Sequence, residues 1–185
     1  MTARAHVAFV RAVMIGREGL HRTVLLDMFE RAGAADPVSY ISTGNVSFKV
    51  EPERVDHVAT VVEADLERLL DRPTPLFVRS LDGLRSMLAD DPFAAAPFDE
   101  VHARLVTFFR QDVPATFELP MTAPNGDWTI FAGTTTELFS VTRAWSDRQP
   151  QDPGGVIQRT AGQLVTTRAL GTIERIVTKL DAASG

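Results

Sequence analysis

The succession of apolar patterns over residues 6–79 constrains the fold of this chain more than any other feature of its sequence. Strand-like runs with a period of two alternate with helical patterns with a period of 3.6. These runs lie at residues 6–13, 22–32, 38–42, 45–50, 55–69 and 76–79. Their order, β-α-β-β-α-β, is that of a ferredoxin-like split βαβ unit. In such a unit the first and third strands are antiparallel neighbours, so residues 6–13 should pair with 45–50.

A proline-rich segment at residues 90–100, DDPFAAAPFDE, separates this pattern from the rest of the chain. We therefore predict a ferredoxin-like subdomain at 1–90 and a smaller α+β subdomain at 91–185. The joining segment is short, which predicts that both halves unfold as one cooperative unit. Strands are expected at residues 103–110, 128–132 and 137–143. The polar loop 144–155 and short helical pieces are expected to complete the second half.

Four aromatic residues of the second half are assigned structural roles. Phe93 and Phe98 flank the alanine run of the proline-rich segment and are predicted to anchor the halves at their interface. Trp128 begins a predicted strand and is expected in a core. Trp145 lies in a polar stretch, where it is expected to anchor the loop.

Charge and composition exclude several functional classes. A net charge of −5 disfavours a general nucleic-acid binder, which needs a cationic face. The chain has no cysteine, so disulfides, thiolate nucleophiles and cysteine-ligated zinc are excluded. The four histidines show no metal-ligand spacing, and no metal site is predicted. No apolar run approaches the roughly 20 residues that span a bilayer. A cytoplasmic protein is expected, with cofactor and oligomeric state undefined.

Four motifs carry a resemblance to a known family. They are VRAVMIG (10–16), YISTGNVSF (40–48), DPF (91–93) and TTRALGTI (166–173), in this order. Together they resemble the bacterial family labelled domain of unknown function 1697, over nearly the whole chain. The resemblance implies a ferredoxin-like N-terminal half and a smaller α+β C-terminal half. It implies no established activity.

The resemblance has departures that bear on function. Arg11, Gly16, Thr167 and Arg168 match the family pattern. Other positions hold residues that differ from the pattern and mostly lack its polar groups: Ala12, Met14, Ser42, Thr43, Ala169, Leu170 and Gly171. If the replaced groups form the family's ligand site, this member has altered or lost it.

One candidate ligand site follows from the predicted topology. The end of the first strand should lie beside the start of the third, which brings Arg11 close to Asn45. A glycine-containing loop and the start of the first helix open at the same edge, and helix N-termini suit anions. Arginine adds a planar fork for carboxylate or phosphate. The candidate ligand-binding residues are Arg11, Gly16, Ser42, Thr43, Gly44, Asn45, Thr167 and Arg168.

A purely structural interpretation of the same residues is also open at this point. Gly44 and Asn45 tolerate positive φ, and we predict that one of them adopts it to close the turn. Arg11, placed inside a central strand, would need a buried partner. Three functional hypotheses follow. They are a binding module for a small anionic, nucleotide-like ligand, an enzyme of unnamed reaction at the same site, and a structural or protein-interaction role.

Overall fold

The α+β class predicted from the sequence is confirmed. A computed structural model describes residues 2–183. The chain divides into two compact units, Met1–Arg85 and Ser86–Gly185, and the division falls inside one helix, Leu81–Ala89. Over the described residues each unit contains one antiparallel sheet, and the chain carries five helices.

The first unit is built on a four-stranded antiparallel sheet of order β2-β3-β1-β4. Its elements are β1 (Arg4–Val10), α1 (Arg22–Arg31), β2 (Ala35–Tyr40), β3 (Asn45–Val50), a 3-10 turn (Pro52–Arg54), α2 (Val55–Leu70), β4 (Leu76–Ser80) and α3 (Leu81–Ala89). The predicted pairing of the first and third strands is confirmed, because Phe9 lies opposite Asn45 and Arg4 opposite Val50. The end of β1 therefore meets the start of β3.

The core of the first unit follows from the periodicities of its elements. In β3, Val46 and Phe48 share one face because successive strand side chains alternate. In α2, Val58, Val62 and Leu66 recur every four residues and are fully buried. The ring of Phe29 from α1 lies 5.1 Å from that of Phe48. Each such side chain contributes about 1.5–3 kcal/mol by leaving water, which fixes both helices on the sheet.

The second unit holds a five-stranded antiparallel sheet of order β6-β7-β8-β5-β9. Its elements are β5 (Val101–Phe108), β6 (Met121–Thr122), β7 (Trp128–Gly133), β8 (Glu137–Arg143), α4 (Gly154–Ala161), β9 (Thr166–Ala169) and α5 (Leu170–Ala182). Trp128 packs into a cluster with Phe109, Ile130 and Ile157, so its predicted core position is confirmed.

Arg11 does not lie in a strand, contrary to the prediction of a run over 6–13. β1 ends at Val10, and Arg11 is half-buried in the turn that follows. The ladder stops there because Ala12 adopts a left-handed φ of +53°. Arg11 therefore lies just outside the strand ladder of the sheet.

Residues 166–169 form a strand, whereas the sequence analysis placed short helical pieces there. Thr167 lies opposite Thr107 and Thr166 opposite Phe108 in the pairing of β9 with β5. Two consecutive threonines favour a strand because β-branched side chains pack well on a pleated surface. The apolar helical pattern expected at the end of the chain begins at the next residue and forms α5.

Within residues 2–183, no helix has both the length and the apolar character needed to cross a membrane.

Candidate functional site

The turn between β2 and β3 is bonded to the chain segment that follows β1. Gly44 adopts a φ of +69°, which confirms that one residue of the Gly44–Asn45 pair is left-handed. Its carbonyl accepts a hydrogen bond from the Val10 N–H at 2.7 Å, and the Ser42 carbonyl accepts one from Ile15 at 2.8 Å. Arg11 directly follows Val10, so its backbone lies next to this turn.

The side chains of the turn are used within the hairpin. Asn45 is fully buried, and its Nδ2 donates to the Tyr40 carbonyl at 3.3 Å and to Thr43 Oγ1 at 3.1 Å. A buried amide satisfied in this way costs little, whereas an unsatisfied one costs about 1–3 kcal/mol. Asn45 and Thr43 thus close the turn and hold it against the end of β1.

The loop that follows β1, residues 11–20, concentrates unusual backbone conformations. Ala12 and Glu18 have φ values of +53° and +52°, and Ile41 at the facing turn has +50°. Such values in residues other than glycine cost about 1–3 kcal/mol each and recur at ligand sites and active sites. Gly16, with φ +93°, bonds through its N–H to the Leu20 carbonyl at 2.8 Å and closes the loop.

Arg72 holds this loop and was missed by the sequence analysis. Its Nη2 donates to the Ala12 carbonyl and to Glu18 Oε2, both at 3.0 Å. Its Nη1 is shielded from solvent and has no acceptor among the described residues. Nothing in the sequence around Arg72 signals this role, because the contact spans about sixty positions and depends on the left-handed Asp71 that ends α2.

The first turn of α1 lies at the far end of the same loop. The N-cap residue, His21, makes no side-chain cap hydrogen bond, and the turn holds no acidic residue. Arg17, His21 and Arg22 are all exposed there. The helix dipole and the two arginine side chains make this surface electropositive.

Thr167 and Arg168 belong to the second unit. Thr167 Oγ1 and Thr107 Oγ1 lie 2.9 Å apart across the β5–β9 pair. Arg168 Nη1 donates to Thr166 Oγ1 at 2.8 Å and to the Thr167 carbonyl at 2.9 Å. Burial lowers the pKa of Arg168 to about 10, which leaves the guanidinium charged at neutral pH. Thr167 is therefore tied to the neighbouring strand β5, and Arg168 bonds to residues of its own strand, β9.

A buried carboxylate in the second unit anchors the polar loop that follows β8. Asp127 is fully buried and accepts hydrogen bonds from Trp145 Nε1 and the Gln151 N–H, each at 3.0 Å. Arg148 lies 2.6 Å from its Oδ1, and Asn125 Nδ2 donates to Oδ2. The bond from Arg148 and the other donors hold the pKa of Asp127 far below its usual range. The predicted anchoring role of Trp145 is confirmed.

The predicted aromatic anchors of the proline-rich segment pack within the second unit. Phe93 is buried against Phe131 and Phe139, with ring centroids 5.7 and 5.8 Å away. The Phe98 ring lies under the Arg143 guanidinium at 4.3 Å. No three histidine, aspartate or glutamate side chains gather as metal ligands within residues 2–183.

The two antiparallel sheets and their helices make the chain an α+β protein of two compact units. It belongs to the family described as "Protein of unknown function (DUF1697)", which matches residues 3–139. The matched segment includes the motifs at 10–16, 40–48 and 91–93 and ends before the fourth, at 166–173.

A solved structure shares the fold. The conserved bacterial protein SP0830 from Streptococcus pneumoniae is similar with a TM-score of 0.69 and 18% identity, over 97% of this chain and 99% of that chain. At this identity the likeness extends to the fold alone. No curated protein matches this chain at a significant level.

Proposed function

We propose that the loop at residues 11–20, the facing turn at 41–45 and the first turn of α1 bind a small anionic molecule that carries phosphate or carboxylate, nucleotides being the first class to test. The observation that carries the proposal is the buried Nη1 of Arg72, which has no acceptor among the described residues. An unsatisfied buried guanidinium N–H is costly, and an anion oxygen beside the loop would satisfy it.

The surrounding loop supports an anion over a neutral ligand. Arg17, His21 and Arg22 are exposed at the start of α1, where the dipole already favours negative charge. Glu18, the acidic residue of this loop, is neutralised by Arg72 at 3.0 Å. The local charge is therefore positive, although the whole chain is acidic.

In this proposal the turn residues position the site and do not contact the ligand. Asn45 and Thr43 bond each other, and Gly44 accepts from Val10, so these groups fix the turn against the loop. A purely structural role for the turn is the second candidate, favoured by the same bonds. The two differ in one respect, because the structural role alone leaves the buried Nη1 of Arg72 unexplained.

The strand order β2-β3-β1-β4, with every pairing antiparallel, supports assigning the first unit to the ferredoxin-like class.

The halves 1–90 and 91–185 are proposed to unfold as one cooperative unit. The division between the compact units falls within the continuous helix α3 and not in a flexible linker. Differential scanning calorimetry should therefore give one transition with equal calorimetric and van't Hoff enthalpies. Two resolved transitions would contradict the proposal.

The ligand proposal is tested by thermal shift with inorganic phosphate, AMP and ADP, each compared with sodium chloride at equal ionic strength. A ligand at ten times its Kd contributes about 1.4 kcal/mol, which raises Tm by about 3–6 °C in a chain of this size. We expect such a rise in the wild type and its loss in Arg17→Gln/Arg22→Gln. Arg72→Met should also abolish it, since Nη1 is then gone.

Arg4→Gln is the matched control, because Arg4 is an exposed arginine at the opposite end of β1. It should keep the full rise in Tm. A wild type that responds to none of the three anions, or a double variant that responds as the wild type does, would refute the proposal.

A further inference from the structure

A cleft in the second unit lies between the proline-rich segment, the start of β5 and the start of α5. It consists of two adjoining lobes of about 410 and 430 Å³, which share Asp99, Arg104, Leu170 and Glu174. Volumes of this size accommodate small molecules. Every residue that lines the two lobes belongs to the second unit, so the cleft is independent of the loop discussed above.

The charged side chains of the cleft are available to a ligand. Arg104 is exposed, and neither a hydrogen bond nor an ion pair engages its guanidinium within the described part of the chain. The carboxylates of Asp91, Asp99 and Glu174 are likewise exposed and without side-chain partners there. Three carboxylates and one guanidinium give the cleft a net charge of about −2, with both signs in one cavity.

Two aromatic residues of the cleft lining pack against other residues of the second unit. Phe93 makes edge-to-face contacts with Phe131 and Phe139. Phe98 is held by the cation–π contact with Arg143 at 4.3 Å. The half-buried Phe98 ring offers a small apolar surface beside the charged groups.

One end of the cleft suits a carboxylate and the other a cation. Ala169 and Gly171 flank the start of α5, whose first turn holds no acidic residue, and both line only one of the two lobes, beside the shared Arg104. A helix start beside a guanidinium favours a carboxylate group. Asp91 lines only the other lobe, which favours an ammonium or guanidinium group there, while Asp99, Glu174 and Arg104 line both lobes.

We infer that this cleft binds a small zwitterion with excess positive charge, that is, a free basic α-amino acid or the same group at the end of a short peptide. The ligand carboxylate binds Arg104 and the start of α5. Its cationic groups bind Asp91, Asp99 and Glu174, and its methylene chain lies along Phe98. The proposed anion site of the first unit is not involved.

The test is isothermal titration calorimetry with L-arginine and L-lysine, compared with agmatine, which lacks the carboxylate, and with L-glutamate. We expect both basic amino acids to bind, agmatine to bind at least about 10-fold more weakly, and L-glutamate not to bind, because one charge-assisted hydrogen bond is worth about a factor of ten or more. Arg104→Met should remove the preference for L-arginine over agmatine. Asp99→Asn should weaken the binding of both L-arginine and agmatine by about 10-fold.

Leu170→Trp is a second, independent variant, since the larger ring fills the space that both lobes share. It should abolish binding without removing a charge. Arg159→Met and Asp147→Asn alter exposed residues elsewhere in the second unit and should leave every Kd unchanged. Absence of heat with both basic amino acids would overturn the inference. Equal binding of L-arginine by Arg104→Met, Leu170→Trp and the wild type would do so as well.

Discussion

Gly44→Val is expected to lower the free energy of unfolding by about 2–6 kcal/mol. Two effects add. Valine at a φ of +69° is strained by about 1–3 kcal/mol. A Cβ at this position would also collide with Val13 Cγ2 and come within 3.0 Å of Val10 Cβ, and such crowding costs about 1–3 kcal/mol more. Urea denaturation with an unchanged m-value would measure the loss.

Gly16→Val separates these two effects. Gly16 has a φ of +93°, but a Cβ there would meet no atom within 4 Å. Gly16→Val should therefore lower the free energy of unfolding by the backbone strain alone, about 1–3 kcal/mol. Equal losses in the two variants would show that the close packing of the turn against β1 is unimportant. An unaltered Gly44→Val protein would show that the glycine is not required for its backbone.

Asp127→Asn is expected to lower Tm by about 5–10 °C. The carboxylate accepts from Trp145, Gln151, Asn125 and Arg148, and an amide in its place turns one acceptor into a donor that faces other donors. Trp145 should become more accessible to acrylamide quenching as its loop is released. Asp147→Asn, an exposed change in the same loop, should leave both Tm and quenching as they are.

The same carboxylate gives stability a defined dependence on pH. The pKa of Asp127 is far below its ordinary value of 3.8, so the unfolded chain binds the proton more tightly than the folded one. The stabilisation that ionised Asp127 gives the folded chain is fully present above pH 3.8 and is lost progressively as the pH falls below 3.8. The difference in stability between the wild type and Asp127→Asn should therefore shrink from pH 5 towards pH 2. A constant difference over this range would contradict the assignment.

The strand pairing of the first unit could be predicted because its periodicities are strong and local. β3 begins and ends where the alternation of Val46, Phe48 and Val50 places it. The left-handed Gly44 could also be predicted, since a tight gap between two strands leaves few alternatives. β9 could not be, because four residues directly before a helix carry too short a pattern and its pairing with β5 is long-range.

The polar contacts were the least predictable part. Arg72 donates a hydrogen bond to the Ala12 carbonyl, sixty positions away in the sequence. Asp127 accepts hydrogen bonds from a loop that starts seventeen residues later, after β8. Neither residue lies in a motif. The cleft of the second unit could not be predicted from the sequence either. Its lining residues come from three segments, and their proximity depends on the strand order of the sheet. Arg11 lies outside the strand because β1 ends at Val10, three residues before the end of the apolar run at 6–13.

We propose that the loop following β1 and the start of α1 bind a small anion. The most direct measurement is an amide-resolved NMR titration of the full chain with ADP at constant ionic strength. We expect saturable shifts concentrated at residues 11–23, 41–45 and 72, lost in Arg72→Met and retained in Arg4→Gln. Shifts that are absent, that do not saturate, or that cluster outside these segments would contradict it.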